Sequence, residues 1–512
     1  MEEHIKKSIA SSVLLVLFLT FLSYIVGFLV QVVIAQTLGV GSDLDAFIIA
    51  SMIPESIFGI TNAVFLIAFI VVFPEYLKKG GNARSFTSTV GIILSIFLLI
   101  IVLVVIFFAK FITQIIAPGF TGQQLELTIF LVRILSVSIF FFGLSSFMTG
   151  ILNYEHHFLL PKAARVIMGV ILILILVTSE AKVQTLAIGT IVGIATVVVL
   201  EYVLLKKNGY TFSFFVDKKA YDAAKEMLML STPLIISSVI YYVTKTVMNI
   251  FATTQGVGSV SILNYAFLIA AVPVIFFSGS VSSILFPYIT KSYVHEKEEE
   301  AKRIFLKSVS VLLVVFIPVT VLFLTLSTDI IRIFFERGEF TAASTEAVST
   351  ALSYYAIGII PSGIWASILS LFYARKKVWE QLCLYILFLI ITVTGTFFLL
   401  KYFSYNAIPI AWSLGYWVTA VVGLLYLEWL GIRIRQGVKT IIKCSIAALS
   451  MMLCVGLLFF LRPIVPLLNT SVAIICAIIV SIGVYIIVLK SMHTEEVDFM
   501  WKYMKDLRQT EK

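Results

Sequence analysis

The sequence predicts an all-α polytopic membrane protein with 14 transmembrane helices and both termini in the cytoplasm. Three observations carry that prediction. Hydrophobic residues make up 60% of the 512 and charged residues only 13%, with a mean hydropathy of +1.07, far above an ordinary soluble domain. Apolar runs of about 20 residues, enough to cross a hydrocarbon core of roughly 30 Å as a helix, recur along the whole chain. Lysine and arginine gather in every second connection between those runs.

The runs fall at 11 to 37, 45 to 74, 86 to 109, 125 to 152, 161 to 179, 184 to 205, 226 to 254, 260 to 289, 304 to 326, 341 to 373, 379 to 400, 405 to 430, 441 to 461 and 468 to 489. The first follows Lys6 and Lys7 as a signal peptide would. Its apolar stretch is too long for one, and no small-residue cleavage site precedes the second run, so it is expected to be retained.

With the N-terminus inside, the cytoplasmic segments hold 29 of the 37 Lys and Arg residues. The external ones hold Lys110, Lys182, Arg332, Arg337, Lys401 and Arg462. That asymmetry orients the chain and accounts for the net charge of +9 as positive-inside bias, with no nucleic acid needed as a partner.

With Lys162, Arg165, Lys307 and Lys443, near the cytoplasmic ends of their spans, counted among the cytoplasmic charges, only Arg133 and Lys245 remain within the membrane spans. Counting from the outer ends of their helices at 1.5 Å per residue, each lies about 12–13 Å deep. Glu55, directly after Pro54, lies roughly 15 Å inward from Asp45 along the second span. Three charges from three helices are thus expected at one depth. They could pair to hold helices together, or a cation could extend towards the headgroups. Alternatively they line a water-accessible cavity and meet an anionic substrate or a coupling ion.

No connection has room for an enzyme. The longest, "KKNGYTFSFFVDKKAYDAAK" at 206 to 225, is short and basic, and no GxxxxGK[ST] loop is present to hold ATP. All five histidines (His4, His156, His157, His295, His493) fall on cytoplasmic segments, and the adjacent pair reads as a solvated loop feature. The acidic "HEKEEEAKR" at 295 to 303 reads as a solvated helix end. The four cysteines lack metal-ligand spacing and read as small apolar packing groups. A transporter without a catalytic constellation, metal or cofactor is expected.

An internal repeat sets the domain organisation. "GVGSDLDAFIIASMIP" at 39 to 54 precedes "FPEYLKK" at 73 to 79, and "GVGSVSILNYAFLIAAVP" at 256 to 273 precedes "FPYITK" at 286 to 291. Spans 7 to 12 then repeat spans 1 to 6 in the same orientation, giving lobes at 1–215 and 216–432 with 433–512 appended. Parallel repeats of this kind suit a two-lobed transporter with its site between the lobes. Gly27, Pro54, Gly59, Pro233, Pro273, Gly279, Pro361 and Gly363 would permit bending within spans or close packing between them.

These segments carry a resemblance. "GFLVQVVIAQTLGVGSDLDAF" at 27 to 47, "LNYAFLIAAVP" with "ILFPYITK", "FFERGEFT" at 334 to 341 and "SYYAIGIIPSGIWASILSLFYARKKV" at 353 to 378 resemble the MurJ (MviN) family. These are lipid-linked oligosaccharide flippases of the multidrug/oligosaccharidyl-lipid/polysaccharide exporter superfamily. The resemblance implies two six-helix lobes in a V with two further helices, and alternating-access flipping of an undecaprenyl-pyrophosphate-linked sugar. Asp45 matches the family's acidic residue. At positions where the family carries cavity arginines this chain has Tyr24, Val30, Phe58 and Leu268, and Ala366 stands where a lysine is expected.

The expected substrate site therefore comprises Lys245, Arg133, Glu55 and Asp45, with Gln31, Asn62, Tyr241, Tyr242, Asn249 and Asn264 as neutral contacts, each of which could equally be an interhelical hydrogen bond. The polyprenyl tail would stay in lipid while the head group crosses, its phosphate neutralised by Arg133 and Lys245, with Glu55 reclaiming them on release. Charge movement would couple to membrane potential at about 2.3 kcal/mol per charge per 100 mV, or to H⁺ or Na⁺. The expected partners are a lipid-linked saccharide, membrane lipids and wall-synthesis proteins, around a monomer. Two other readings are an H⁺- or Na⁺-coupled multidrug antiporter, with Glu55 holding the ion, and a non-transporting scaffold for wall synthesis.

Overall fold

The computed structural model describes residues 2–179, 182–210, 216–295, 297–375, 377–432, 435–461 and 470–492. Arg462, the centre of the "KKNGYTFSFFVDKKAYDAAK" connection, and the C-terminal segment with His493 lie outside them. Among the described residues every element is helical. Twelve stretches are long and apolar enough to cross a membrane, or thirteen if one bent pair is a single span.

The chain divides into two compact units, residues 1–261 with 335–341, and 262–334 with 342–512. The first contains α1 (Glu2–Leu38), α2 (Ser42–Ala63), a π-helical segment (Val64–Ala68), α3 (Phe69–Lys78), α4 (Ala83–Phe107), α5 (Ala109–Ile116), α6 (Gly122–Tyr154), α7 (Leu159–Thr178), α8 (Val183–Lys207) and α9 (Lys218–Thr253). Local chemistry sets several boundaries. The Asn82 side chain accepts from the amides of Arg84 and Ser85 (2.8 and 3.4 Å) to start α4, and Asp217 accepts from Ala220 N at 3.0 Å to start α9.

Gly39, with φ +60°, ends α1 in the left-handed conformation that glycine tolerates best. Segment 335–341 returns to that corner, where Glu339 N donates to Gln36 O at 3.0 Å and Phe335 packs on Phe28 with ring centres 6.0 Å apart. The predicted external loop is thus tied to the end of α1.

Helix α2 packs on α6 and on α9, and α7 packs on α1 and α8. A phenylalanine cluster of Phe65, Phe69, Phe73, Phe86 and Phe147 is buried where α3, α4 and α6 converge. The opposite face of α4 leaves Ile96, Phe97, Ile100, Leu103 and Phe107 exposed. Such a continuous apolar face is suited to lipid.

The second unit contains α10 (Ser259–Pro273, its first turn in the first unit), a π-helical segment (Val274–Ser278), α11 (Gly279–Val294), α12 (Glu298–Phe335), α13 (Ala342–Ala356), α14 (Ile359–Ala374), α15 (Val378–Phe403), α16 (Ala407–Trp429), α17 (Arg435–Leu461) and α18 (Thr470–Ser491). Its centre is α12, whose Phe316 occupies the space left by Gly363, and an aromatic group of Phe267, Tyr355, Trp365, Phe388, Trp412 and Tyr416. Tyr485 of α18 donates to Val314 O at 2.9 Å, fixing that helix to α12.

The expected span at 304 to 326 is much longer, because α12 starts at Glu298 with three glutamates in its first turn. There they complement the helix dipole, and Lys302 pairs with Glu299 at 2.7 Å. The expected span at 341 to 373 is broken into α13 and α14, bent by 45°. The break falls at residues 357–358, ahead of Pro361 and Gly363, because Pro361 sits in the first turn of α14 where its missing N–H costs little. Carbonyls freed there are captured by α16. Ser413 Oγ donates to Tyr354 O at 2.7 Å and Trp417 Nε1 to Ile357 O at 3.0 Å.

Candidate functional site

In the first unit α2 presents two faces. Leu44, Ile48, Ile49, Met52 and Pro54 are buried. Ser51, Glu55, Phe58, Gly59 and Asn62 recur at helical spacing and stay at least partly exposed, forming one stripe. Helix α9 approaches that stripe at Gly59, where a Cβ would stand 1.9 Å from Tyr242 Oη. Only a glycine admits the tyrosine so close.

One turn along, Lys245 Nζ pairs with Glu55 Oε2 at 3.1 Å. Ser51 Oγ lies 3.4 Å from the other carboxylate oxygen. Tyr241 and Tyr242 meet edge to face, 5.4 Å apart, on the same turn of α9 as the lysine, and Asn249 Nδ2 donates to Lys245 O at 3.2 Å within the helix.

The exposure of this pair decides what it can do. The Lys245 and Glu55 side chains keep 30% and 51% of their surface accessible. A fully buried pair is lost at about 3–5 kcal/mol when one partner is withdrawn. This pair is only partly enclosed, so another anion can reach the ammonium and exchange with its carboxylate.

The remaining expected site residues are dispersed. Arg133 lies on an exposed stripe of α6 with Glu126, Phe130 and Val137 and forms no ion pair with any described residue. The structure therefore does not bring it to the Glu55–Lys245 pair. Asp45 is fully buried, and its two carboxylate oxygens accept from the amides of Gly258 at 2.6 Å and Ser261 at 2.7 Å. It fastens the start of α2 to the first turn of α10. Gln31 is half-buried on α1 and Asn62 half-buried on the α2 stripe, while Asn264 is half-buried on α10 in the second unit.

One cation absent from the expected set reaches the stripe. The Arg165 guanidinium of α7 stands over the Phe58 ring, 6.0 Å from its centre. Its position four residues inside a span starting at 161 was the available signal, hidden by counting it among the cytoplasmic charges.

Comparison with known proteins extends this picture. Residues 34–493 match the family model described as lipid II flippase MurJ. A probable lipid II flippase MurJ of Buchnera aphidicola subsp. Baizongia pistaciae is 27% identical over 424 residues, which cover 80% of this chain and 82% of that protein. A solved lipid II flippase MurJ in an inward closed conformation superposes with a TM-score of 0.78 at 24% identity, covering 94% of this chain and 99% of that one. An inward-facing multidrug resistance MATE family transporter of the MOP superfamily gives 0.67 at 15% identity, covering 83% and 99%. At these identities the two solved structures establish the fold.

Proposed function

The chain belongs to the lipid II flippase MurJ family, and from that membership we propose that it carries an undecaprenyl-(pyro)phosphate-linked saccharide, lipid II or a related wall or exopolysaccharide precursor, across the membrane by alternating access. It is a multi-pass protein of the bacterial cytoplasmic membrane and a transporter rather than an enzyme. We place its fourteen spans by dividing Val378–Trp429, whose 52 residues hold both α15 and α16. At 1.5 Å per residue that stretch is about 78 Å long, more than twice a hydrocarbon core. Both termini are then cytoplasmic.

The observation that carries the mechanism is the half-exposed Lys245–Glu55 pair. The phosphate of the lipid head group displaces Glu55 from Lys245 on loading, and Glu55 reclaims the lysine on release. The empty pair is neutral, and the incoming phosphate adds negative charge beside Glu55, which uptake of a proton or cation by Glu55 on loading would offset. Tyr241, Tyr242 and Asn249 beside the lysine, and Asn62 further along the α2 stripe, are groups able to contact sugar hydroxyls. Glu55 is also the group through which H⁺, Na⁺ or membrane potential would couple. The protein works as a monomer, and its basic cytoplasmic segments are the surface for wall-synthesis partners.

The repeat assigned to 1–215 and 216–432 is supported by the two π-helical segments. Each follows a helix that begins at Gly-Val-Gly-Ser and precedes one that contains the Phe-Pro pair. Contacts group α9 with the first unit because it packs on α2, although it opens the second repeat.

The test is replacement. In a host depleted of its own lipid II flippase, this chain should restore growth and Lys245→Gln should not, at equal membrane levels. Failure of the unaltered chain in every host that makes an undecaprenyl-linked wall precursor would overturn the reading.

A further inference from the structure

Lys162 and Arg165 stand one turn apart in the first two turns of α7. Helix geometry puts them on one face. The two cations repel each other, Lys162 sits in the first turn at the positive end of the helix dipole, and the carboxylate that acts on Arg165 is that of Glu201 on the neighbouring α8. Neither forms an ion pair with any described residue. The half-buried position of Lys162 adds a desolvation penalty.

The face they share leads to the α2 stripe. Arg165 lies over Phe58, and Phe58 is packed from behind by Phe142 of α6 with ring centres 5.2 Å apart. The aromatic ring thus holds the guanidinium by its flat face and leaves the N–H edges to donate elsewhere. Phe58 is three residues beyond Glu55, a separation of about 4.5 Å along the axis. Arg165 of α7, with Lys162 one turn before it, and the exchangeable Lys245 of α9 flank the same stripe. Arg165 is nearer the α6–α7 turn and Lys245 nearer the α9–α10 turn.

We propose that Arg165 and Lys162 form a second phosphate-binding station on the α2 stripe, taking the pyrophosphate of the lipid-linked substrate before or after it engages Lys245. This rests on the flippase reading above. A guanidinium donates through a rigid fork and an ammonium through a point charge, so together they suit a diphosphate better than a monophosphate. Phosphate could reach them from the substrate or from an anionic membrane lipid, and the two sources separate experimentally.

The experiment is native mass spectrometry of the full-length protein, titrated separately with undecaprenyl pyrophosphate, undecaprenyl phosphate and phosphatidylglycerol. Unaltered protein should bind the pyrophosphate several-fold more tightly than the monophosphate. The double variant Lys162→Gln/Arg165→Gln should lose that preference, with pyrophosphate affinity falling about tenfold or more and phosphatidylglycerol retention unchanged, whereas Arg165→Lys should keep much of the affinity and report that folding is intact. Unchanged pyrophosphate binding in the double variant, or a loss confined to phosphatidylglycerol, overturns the station and leaves the flippase reading standing. Unaltered protein that binds neither polyprenyl lipid removes both.

Discussion

Lys245 Nζ lies 3.1 Å from Glu55 Oε2, joining residues 190 positions apart in a pair whose side chains keep 30% and 51% of their surface accessible. If Glu55 competes with a phosphate for the lysine, removing its charge has opposite effects on binding and on turnover. Glu55→Gln should tighten undecaprenyl pyrophosphate binding by about fivefold or more, the equivalent of about 1 kcal/mol. It should also slow translocation in reconstituted vesicles, because the lysine has no internal partner to return to. Weaker binding in this variant would show that Glu55 contacts the head group itself.

Asp45 answers to a different measurement. Its carboxylate is consumed by two backbone amides at the α9–α10 turn, and each buried amide left without an acceptor costs about 1–3 kcal/mol. Asp45→Ala should therefore lower the melting temperature of the purified protein by several degrees, and Asp45→Asn by less, since one amide oxygen remains to accept. Polyprenyl pyrophosphate affinity of the folded fraction should stay within about twofold, below the 1.4 kcal/mol that marks a tenfold change. A large loss of affinity at unchanged melting temperature would return Asp45 to the substrate site.

The contrast among these residues shows what the sequence could disclose. Lys245, Glu55 and Arg133 announced themselves by the same signal, a charge within an apolar run. That signal fixes depth along a helix and says nothing about which neighbour the helix turns towards. Two of the three meet, and Arg133 points away with Phe130 and Val137.

The partners of Asp45 are 213 and 216 residues distant in the chain, so its structural duty was legible only once α2 and α10 had been placed. Arg165 was lost for the opposite reason. Positive-inside counting assigns cations near a span end to the adjoining loop, and the first turns of α7 were counted as loop. The π-helical segments leave no mark on composition, because one extra residue per turn changes the register of an apolar run without changing its content. The all-helical class and the spans were legible because bilayer thickness imposes them on composition directly.

Gly59 tests whether the approach of α9 to α2 sets the site. An alanine there would place its Cβ 1.9 Å from Tyr242 Oη and 2.3 Å from Cζ, so the ring must swing away or the helices must separate. Either movement draws Lys245 from Glu55, three and four residues from the contact on their respective helices. Gly59→Ala should cost about 1–3 kcal/mol of stability, as overpacking does, and reduce growth rescue in the depleted host. The single change Tyr242→Ala should be milder, because it removes atoms from a half-buried position. Combined with Gly59→Ala it should restore function towards that of Tyr242→Ala alone, since the smaller side chain vacates the space the new methyl needs. Additive losses in the double variant would mean that Gly59 acts through the bending of α2 rather than through the room it leaves for Tyr242.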